Sequence, residues 1–326
     1  MQRVRSCEVS QHVGSRIRLR GWLFTRRRLG GISFIVLRDG WGTVQVTADA
    51  TAFEPLARAN AGPESVIEVV GEVRSNERAP DGIEIVAPSI EVLVAVTDPL
   101  PVPLGRALAS AKLPAVLDHA PTTLRDPGRR AVFELAAGAM AGFRRRLDAL
   151  GFTEVQTPKV VRSASESGAN VFALDWFGTP AYLAQSPQLY KQIMVGVFER
   201  VFEIGPVFRA EPHATVRHLA EYVSMDVELG FIDDMHDIVA VLREALAGVF
   251  DELREHRAAA LQRLQVTLPV VPPVLPAIDF EAGQRLIEAA TGERVVGEPD
   301  LAPAHEQWLG AWAEREHGSA LLVVTG

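Results

Sequence analysis

The chain has 326 residues, of which 48% are hydrophobic, a net charge of −8 and one cysteine, Cys7. This length and apolar content suffice for two domains with separate cores. A single cysteine excludes an internal disulfide, and no apolar run reaches the roughly 18 residues of a membrane-spanning helix. No signal-peptide core is present either, so we expect a cytoplasmic protein.

The basic residues are unevenly distributed. Residues 1–50 contain nine arginines and three acidic side chains, a balance of +6 within an acidic chain. Such a basic end indicates a surface that faces nucleic acid; the alternative is a solvated arginine-rich face. Only three of the 33 basic residues are lysines, at 112, 159 and 191. In a chain that prefers arginine, these positions point to sites where a compact ammonium is required; the alternative is that three lysines remain by chance.

The N-terminal third has the pattern of a small β-barrel. Five segments of strand-like alternation and one helix, over about 52–61, favour a Greek-key barrel of the OB type in residues 1–97. Turns are predicted at "TRRRLGG" and "GWG". The proline-rich residues 98–127 are typical of a linker.

Residues 128–326 mix helices with strands, which predicts an α+β domain. Helical periodicity covers 129–150 and 235–263, and two further helices are predicted in "DFEAGQRLIEAATG" and "APAHEQWLGAWAEREHG". "FTEVQTP" is a predicted strand ending at Pro158, and "AYLAQSPQLYKQIMVGVF" is a strand that leads into a helix. Two long strands, "ERVFEIGPVFRAE" and "EYVSMDVELGFI", flank a charged turn, and "SALLVVTG" is a final strand.

The two long strands carry a distinctive set of charges. Alternate residues of a strand share a face, so Asp226 and Glu228 point the same way, as do Arg209 and Glu211. Arginine forks suit phosphate oxygens, and a glutamate accepts a hydrogen bond from an exocyclic amine. The hairpin is therefore a candidate nucleotide site; the alternative is a solvated charged face.

Four segments resemble the class II aminoacyl-tRNA synthetases. "FRAE…RHLAEY" resembles their second signature motif, and "FTEVQTP" resembles the first. "AYLAQSPQLYKQ" resembles the aspartate-binding segment of aspartyl-tRNA synthetases, and "GWLFTRRRLGGISFIVLRDGWGTVQV" resembles the anticodon-binding OB domain of the aspartyl, asparaginyl and lysyl subgroup. The resemblance spans nearly the whole chain, is closest to archaeal-type aspartyl enzymes, and implies an N-terminal OB barrel followed by a class II antiparallel-sheet catalytic domain.

The resemblance implies an ATP site on the charged hairpin. Arg209 would contact the α-phosphate and support the adenylation transition state, and Glu211 would meet the adenine amine. Arg217 and His218 would face the β- and γ-phosphates of a bent ATP. Such catalysis is electrostatic stabilisation of an in-line displacement and requires no covalent enzyme intermediate.

The resemblance also implies an amino-acid pocket. Ser186, Gln188 and Lys191 match substrate-contacting positions, Asp226 matches the carboxylate that receives the α-ammonium, and Glu166 matches the acidic residue of a closing loop. A lysine ammonium suits the β-carboxylate of aspartate and gains nothing from a neutral amide. The turn "SNERAPDG" is as similar to asparaginyl relatives as to aspartyl ones, so asparagine remains the alternative substrate.

Anticodon recognition is implied for the barrel. Phe34 and Gln45 match positions that meet the central anticodon uridine by stacking and by a base-edge contact, and Arg26 lies near the same loop. The alternative for Phe34 is a place in the barrel core. Pro80 lies in the turn near the last anticodon base, where proline accompanies acceptance of both tRNA(Asp) and tRNA(Asn). Phe24, at the other position tied to that choice, matches neither usual residue.

The first motif implies a homodimer, with Pro158 passing near the partner's active site. Helix 129–150 has more apolar positions than one narrow stripe and therefore a second surface to bury. The family's third motif, its magnesium-binding acidic residues and a further arginine for the substrate carboxylate are expected beyond Gly326. We accordingly expect a truncated catalytic domain with little activity of its own, ATP as a substrate, and Mg2+ held by residues outside this chain.

The function that the resemblance implies is therefore ATP-dependent activation of aspartate and its transfer to tRNA(Asp), with tRNA(Asn) left open as a second acceptor. Three alternatives stay open: an asparagine–tRNA ligase, an enzyme that makes aspartyl-adenylate without tRNA, and a non-catalytic tRNA-binding module. The OB domain counts against the second alternative, because such paralogues usually lack one. No histidine or cysteine has zinc-like spacing.

Overall fold

The computed structural model describes residues 1–105, 111–164, 171–210 and 219–326. These residues form two compact units, Met1–Pro127 and Gly128–Gly326. Within the described residues, no helix has both the length and the apolar character needed to cross a membrane.

The first unit is a closed five-stranded barrel, as the sequence predicts. The order of its strands is β1-β2-β3-β5-β4. Alternate side chains point inward and form one apolar core that includes Leu19, Leu23, Ile35 and Val46. The elements of the barrel are β1 (Arg16–Leu29), β2 (Ile32–Arg38), β3 (Thr43–Ala48), α1 (Ala50–Arg58), β4 (Val66–Ser75) and β5 (Ile83–Val94), with 3-10 helices at Ser6–His12 and Pro80–Gly82.

The prediction of a turn at "TRRRLGG" is wrong for most of that segment. Strand β1 continues to Leu29, and the three arginines Arg26, Arg27 and Arg28 pair in register with β2. Ladder hydrogen bonds use the backbone, so exposed charged side chains do not end a strand. The turn is confined to the two glycines that follow, and Gly30 adopts a φ of 60°, in the left-handed region.

Residues 98–127 contain more structure than a simple linker. Two short helices, α2 (Leu113–Asp118) and α3 (Ala120–Thr123), lie within this segment. Beyond them, Arg125 Nη1 donates to Glu64 Oε2 of the barrel at 3.0 Å. The same carboxylate binds the buried Arg38 at 2.7 Å. The end of the segment is therefore attached to the barrel unit by an ion cluster.

The second unit is built around a three-stranded sheet. Its order is β11-β10-β6, with β10 antiparallel to β11 and parallel to β6. The elements of the unit are α4 (Pro127–Ala149), β6 (Thr153–Glu154), β7 (Val160–Val161), β8 (Ala173–Trp176), β9 (Thr179–Leu183), α5 (Gln188–Phe198), β10 (Arg200–Phe208), β11 (Glu221–Leu229), α6 (Met235–His256), α7 (Ala258–Leu264), β12 (Ala277–Asp279), α8 (Phe280–Thr291), α9 (Pro303–His317) and β13 (Val323–Thr325).

Helices α4 and α6 cover one face of this sheet. Phe143 of α4 meets Phe202 of β10 edge to face, with ring centroids 5.9 Å apart. The helices approach closely at Gly142, where a Cβ would lie only 2.3 Å from the carbonyl oxygen of Gly248. The opposite face of the sheet is left to the polar residues described below.

Two predictions for this unit need correction. The helix predicted over 235–263 is interrupted at Arg257, whose φ of −132° and ψ of 20° lie outside the helical range. In "FTEVQTP" only Thr153–Glu154 is a strand, because only these two residues pair with β10. The periodicity of apolar residues does not reveal a helix break at a single residue. It also does not reveal whether a strand-like segment has a partner strand.

Candidate functional site

The two faces of strands β10 and β11 differ in chemistry. Phe202 and Ile204 pack into the helix-covered core. Glu203 lies on the other face of β10 and pairs in register with Asp226 of β11. Residues directly opposite in an antiparallel ladder project to the same side, so the two carboxylates are neighbours. Glu228 follows Asp226 on that face, as the sequence predicts.

Lys191 of α5 reaches the carboxylates of β11. Its side chain is 5% exposed, and its Nζ lies 3.2 Å from Asp226 Oδ1 and 3.4 Å from Glu228 Oε2. A third acceptor, the carbonyl oxygen of Val227, lies 3.4 Å away. Lysine has three donors, so its ammonium is fully engaged by the strand. These pairs with acidic side chains of the protein are an observation of the structure; the sequence matches Lys191 only to the β-carboxylate of the substrate.

The other residues of the predicted amino-acid pocket lie in the same place. Gln188, the first residue of α5, donates through Nε2 to Glu228 Oε2 at 3.3 Å, and its backbone N–H donates to Ser186 Oγ at 3.3 Å. The hydroxyl of Ser224 is in very short contact with Asp226. The structure thus brings together all four described members of the predicted pocket: Ser186, Gln188, Lys191 and Asp226.

A second lysine neutralises the carboxylate on β10. Lys159 Nζ lies 2.7 Å from Glu203 Oε1, and Glu203 is 1% exposed. Thr157 donates to the same carboxylate twice, from Oγ1 at 2.7 Å and from its backbone N–H at 3.2 Å. Two of the three lysines of the chain therefore lie on one sheet face, each against a carboxylate, in agreement with the interpretation of the lysine bias.

Arg209 follows directly after β10. Its backbone N–H donates to the carbonyl oxygen of Ala220 at 3.0 Å, and its guanidinium carbon lies 5.9 Å from the ring centroid of Tyr222. Tyr222 is on the same face of β11 as Asp226. The predicted ATP contacts Glu211, Arg217 and His218, and the predicted loop residue Glu166, lie outside the described residues.

A polar strip crosses the outer face of the barrel. Phe34 of β2 is half-buried and alternates with the inward-pointing Ile35, so the alternative of a place in the barrel core is excluded. Its register neighbours are Arg27 on one side and Thr47 on the other. The guanidinium of Arg27 lies 4.9 Å from the Phe34 ring centroid. An aromatic face flanked by a cation suits stacking on a nucleobase.

Gln45 continues this strip next to a buried glutamate. Glu84 pairs in register with Gln45, and its Oε2 lies 3.5 Å from Gln45 Nε2 and 2.7 Å from Thr47 Oγ1. Arg74 binds the other oxygen at 2.7 Å. Burial acts to raise the pKa of Glu84, but hydrogen bonds from Arg74, Thr47 and Asn76 outweigh it and hold the pKa below its ordinary value. Glu84 is thus an ionised acceptor that orients Gln45.

Two other predicted anticodon residues lie apart from Phe34. Arg26 projects from β1 to the opposite side of the strand, where Nη1 donates to the carbonyl oxygen of Ala61 at 2.9 Å and the guanidinium lies 5.8 Å from the Phe53 ring. Arg27, one residue on, is the arginine that lies beside Phe34. Pro80 is exposed and begins the 3-10 helix between β4 and β5.

Pro158 lines an open apolar cavity of about 410 Å³ beside strands β7 and β9. Val160 and Trp176 share this cavity and are 40% and 53% exposed. On helix α4, Val132 and Phe133 are also exposed, at 53% and 59%. The second unit therefore exposes large apolar side chains both near Pro158 and on helix α4, the two elements of the predicted dimer-forming motif.

The described residues do not form a magnesium site. They contain no group of three or more aspartate, glutamate, histidine or cysteine side chains placed to hold a metal ion. The carboxylates of the sheet face are instead bound by ammonium groups: Glu203 by Lys159, and Asp226 with Glu228 by Lys191. No chemical step is assigned to Mg2+ here.

Four side chains of these sites have no role in the sequence-based prediction: Arg27, Glu84, Glu203 and Glu228. Glu84 and Glu203 each interrupt an apolar strand, in "IEIVA" and "FEIGP", and a charge inside an apolar run is a usable signal of a buried polar contact. Arg27 belongs to a run of three arginines, where only the register distinguishes one from the next. Glu228 was placed on the correct face without a function.

An OB barrel joined to a unit whose sheet holds paired lysines and carboxylates beside an arginine has the architecture of a class II aminoacyl-tRNA synthetase. A family model for tRNA synthetases class II (D, K and N) matches residues 115–325, and one for OB-fold nucleic acid binding domains matches residues 17–93. The chain belongs to the class II tRNA synthetases (D, K and N), and it is an aminoacyl-tRNA ligase.

Curated relatives cover the whole chain. The aspartate–tRNA(Asp/Asn) ligase of Deinococcus radiodurans is 41% identical over 325 residues, which are 100% of this chain and 73% of the relative. The enzyme of the same name from Thermus thermophilus is 42% identical over 98% of this chain and 73% of its own length. That of Methanopyrus kandleri is 41% identical over 91% of this chain and 69% of its own length.

Solved structures show the same fold. Asparaginyl-tRNA synthetase from Pyrococcus horikoshii, complexed with asparaginyl-adenylate, has a TM-score of 0.87 at 29% identity and covers 96% of this chain and 72% of its own. A putative aspartyl-tRNA synthetase from Leishmania major has a TM-score of 0.83 at 27% identity. The match covers 98% of this chain and 72% of the Leishmania chain.

Proposed function

We propose that the protein is an aspartate–tRNA ligase that activates aspartate with ATP and transfers the aspartyl group to tRNA(Asp) and tRNA(Asn). The observation that carries the proposal is the buried ammonium of Lys191 between Asp226 and Glu228. A cation and an anion at one place suit a substrate with an α-ammonium and a β-carboxylate. The relatives at about 41% identity are named as ligases of aspartate with both tRNAs.

The pocket would bind aspartate by exchange of ionic partners. Lys191 has three protein acceptors, so a β-carboxylate reaches its ammonium by displacing one of them. Asp226 is the acceptor that would leave, because the α-ammonium of the substrate then replaces the lysine as its partner. Gln188 stays on Glu228 and lines the pocket beside them. Each charge keeps an opposite partner throughout, which avoids an unpaired buried ion.

Adenylation would follow by in-line attack of the substrate α-carboxylate on the α-phosphate of ATP. An oxygen–phosphorus bond forms, pyrophosphate leaves with the electron pair of the broken bond, and no proton needs to move. Arg209, next to β10 and above Tyr222, is the described residue that would stabilise the charge on the α-phosphate. The tRNA hydroxyl would then attack the carbonyl carbon of the adenylate. The bond from that carbon to the phosphate oxygen breaks, and AMP leaves with the electron pair while its phosphate takes up the hydroxyl proton.

The barrel would read the anticodon on the strip Arg27, Phe34, Gln45 and Glu84. Phe34 offers a stacking face, and Gln45 offers an amide held by the ionised Glu84. Pro80, exposed in the connection between β4 and β5, is the candidate for contact with the last anticodon base and for acceptance of both tRNAs.

We also propose a homodimer. Its support is the apolar cavity at Pro158 and the exposed apolar side chains of α4, which match the first-motif elements that the sequence indicates. Exposed apolar surface of this kind is characteristic of an interface.

Asparagine is the second candidate substrate, favoured by the fold match with the asparaginyl-tRNA synthetase of Pyrococcus horikoshii. The experiment that separates the candidates is charging of tRNA(Asp) and tRNA(Asn) transcripts with labelled amino acids. It uses the completed protein, which is this chain extended at its C-terminus with the C-terminal residues of the Deinococcus radiodurans relative, because the third motif is expected beyond Gly326. The proposal predicts that both transcripts accept aspartate and that neither accepts asparagine. Charging of tRNA(Asn) with asparagine would overturn it.

A further inference from the structure

The ion pair of Lys159 and Glu203 is a closed polar cluster that the chemistry proposed above does not use. One oxygen of Glu203 accepts from Lys159 Nζ at 2.7 Å, and the other accepts from Thr157 Oγ1 at 2.7 Å. Lys159 Nζ also lies 3.1 Å from Thr157 Oγ1. Glu203 is 1% exposed, so this carboxylate is almost fully removed from water and depends on these partners.

The cluster connects two functional elements. Thr157 and Lys159 flank Pro158, the proposed dimer residue, whereas Glu203 is directly opposite Asp226, the proposed substrate carboxylate. The pair therefore ties the chain segment around Pro158 to the strand ladder that presents the aspartate site.

The backbone leaves space for the pair at Gly205. A Cβ at this position would lie 3.0 Å from Glu203 Oε1 and 3.4 Å from the Cε and Nζ atoms of Lys159. A Cβ here would crowd the Glu203 carboxylate oxygen and would be in van der Waals contact with Lys159. The glycine has no positive φ, so conformational freedom does not explain it, and close approach of the ion pair does.

Electrostatics gives the pair a function. Two carboxylates opposite each other on one sheet face repel, and the repulsion is strong where water is excluded. Lys159 neutralises Glu203 and leaves Asp226 to interact with Lys191 and with the substrate. Without Lys159, the buried charge of Glu203 would compete with Asp226 and Glu228 for the single remaining ammonium.

We propose that Lys159 and Glu203 are positioning residues of the aspartate site, which hold Asp226 and Lys191 in binding geometry without touching the substrate. The inference rests on the proposed function. It differs from a general stabilising role in one respect: loss of the lysine alone should harm aspartate binding, and removal of both charges should restore it.

The test compares Lys159→Met with the double variant Lys159→Met/Glu203→Gln in aspartate-dependent ATP–pyrophosphate exchange by the completed protein. We expect the KM for aspartate to rise at least about tenfold in the single variant, with the KM for ATP changed by less than about twofold. In the double variant, the KM for aspartate should return to within about threefold of the wild type. Arg285→Met, which removes an exposed pair with Glu281 in the same unit, is the matched control and should change neither constant.

Two results would overturn the proposal. An unchanged KM for aspartate in Lys159→Met would show that the pair does not position the site. A double variant as impaired as the single one would show that Lys159 acts directly and not through Glu203. If Lys159→Met does not fold, Thr157→Val, which removes one hydrogen bond to Glu203, should raise the KM for aspartate a few-fold, and no change there would be equally contradictory.

Failure of the proposed function has a separate signature. A completed protein without aspartate-dependent exchange would contradict the proposed activation of aspartate. Amide hydrogen exchange of β11 still reports on the pair in that case: we expect faster exchange around Asp226 in Lys159→Met and recovery in the double variant. Equal exchange in all three proteins would overturn the positioning role by itself.

Discussion

Glu203 and Asp226 lie directly opposite each other on two antiparallel strands, and each is bound by its own lysine. Of 33 basic residues in the chain, only three are lysines, and two of them serve these carboxylates. The ammonium is a compact donor on a flexible stem, which fits between adjacent strand carboxylates where a planar guanidinium would not. Two of the three lysines therefore lie where an ammonium binds a carboxylate on a strand.

The first prediction concerns Lys191. Lys191→Leu should weaken aspartate binding by roughly 2–5 kcal/mol, because it removes the partner of two partly buried carboxylates as well as the ligand of the β-carboxylate. Isothermal titration with aspartate measures the effect, and the preference for aspartate over asparagine should disappear. Lys112→Leu is the matched control, since Lys112 is exposed. Retained discrimination in the Lys191 variant would refute the assignment.

The second prediction concerns the barrel. Phe34→Leu should reduce affinity for an anticodon stem-loop by about 1–3 kcal/mol, the usual contribution of one stacked base. Leu29→Ala, which alters an exposed apolar residue of the same hairpin, should have no comparable effect. Fluorescence titration at several salt concentrations measures both variants, and binding should weaken with salt. Equal loss in the two variants would argue against stacking on Phe34.

Gln45 gives a third, sequence-specific prediction. Its amide is held by Glu84, so Gln45→Ala should reduce discrimination between a central uridine and a central cytidine. Competition between two stem-loops that differ only at that base is the direct measurement. Loss of affinity for both loops in equal proportion would show that Gln45 contributes to binding without reading the base.

The fourth prediction is a pH dependence of stability. The pKa of Glu84 is lower in the folded protein than its ordinary value, because hydrogen bonds from Arg74, Thr47 and Asn76 outweigh the effect of burial. A depressed carboxylate pKa stabilises the fold above the unfolded value, about 4.3, and that stabilisation is lost as the pH falls through the folded value.

Thermal unfolding from pH 7 to pH 3 tests this. Glu84→Gln should be less stable than wild type at pH 7, and the difference should shrink below about pH 4.3. Glu91→Gln, an exposed glutamate of the same strand, serves as the control. A difference that stays constant over the whole pH range would exclude an ionised Glu84 as its source.

The fifth prediction concerns assembly. Sedimentation equilibrium at micromolar concentration should give twice the chain mass of 35.4 kDa. Val160→Asp, which places a charge in the Pro158 cavity, should shift the protein towards monomer, because an unpaired charge is costly to bury. Val270→Asp changes another exposed valine and should leave the dimer intact. A folded wild-type monomer would contradict the proposal.

Sequence patterns predicted the architecture well and the contacts less well. The barrel strands, helix α4 and the hairpin of β10 and β11 follow from periodicity, which records the face a residue presents. The break at Arg257 and the extension of β1 to Leu29 depend on backbone pairing, which leaves no pattern in side-chain type. The family motif placed Ser186, Gln188, Lys191 and Asp226 together, and the described structure agrees.

The partners of those residues were harder to predict. Lys159 and Glu203 are 44 positions apart in sequence, and only the parallel pairing of β6 with β10 brings their segments together. Arg26 and Arg27 differ only in which side of β1 they face, and the irregular register near Leu23 decides that. Both contacts depend on how strands pair in the folded sheet, and the local sequence pattern does not determine that pairing.

We propose that the site selects aspartate through the buried ammonium of Lys191. The most direct measurement is ATP–pyrophosphate exchange by the completed protein with aspartate and with asparagine, each titrated to saturation. We predict exchange with aspartate and a kcat/KM for asparagine at least about a hundredfold lower, because a neutral amide cannot replace a carboxylate at Lys191. Equal or greater exchange with asparagine would contradict the account.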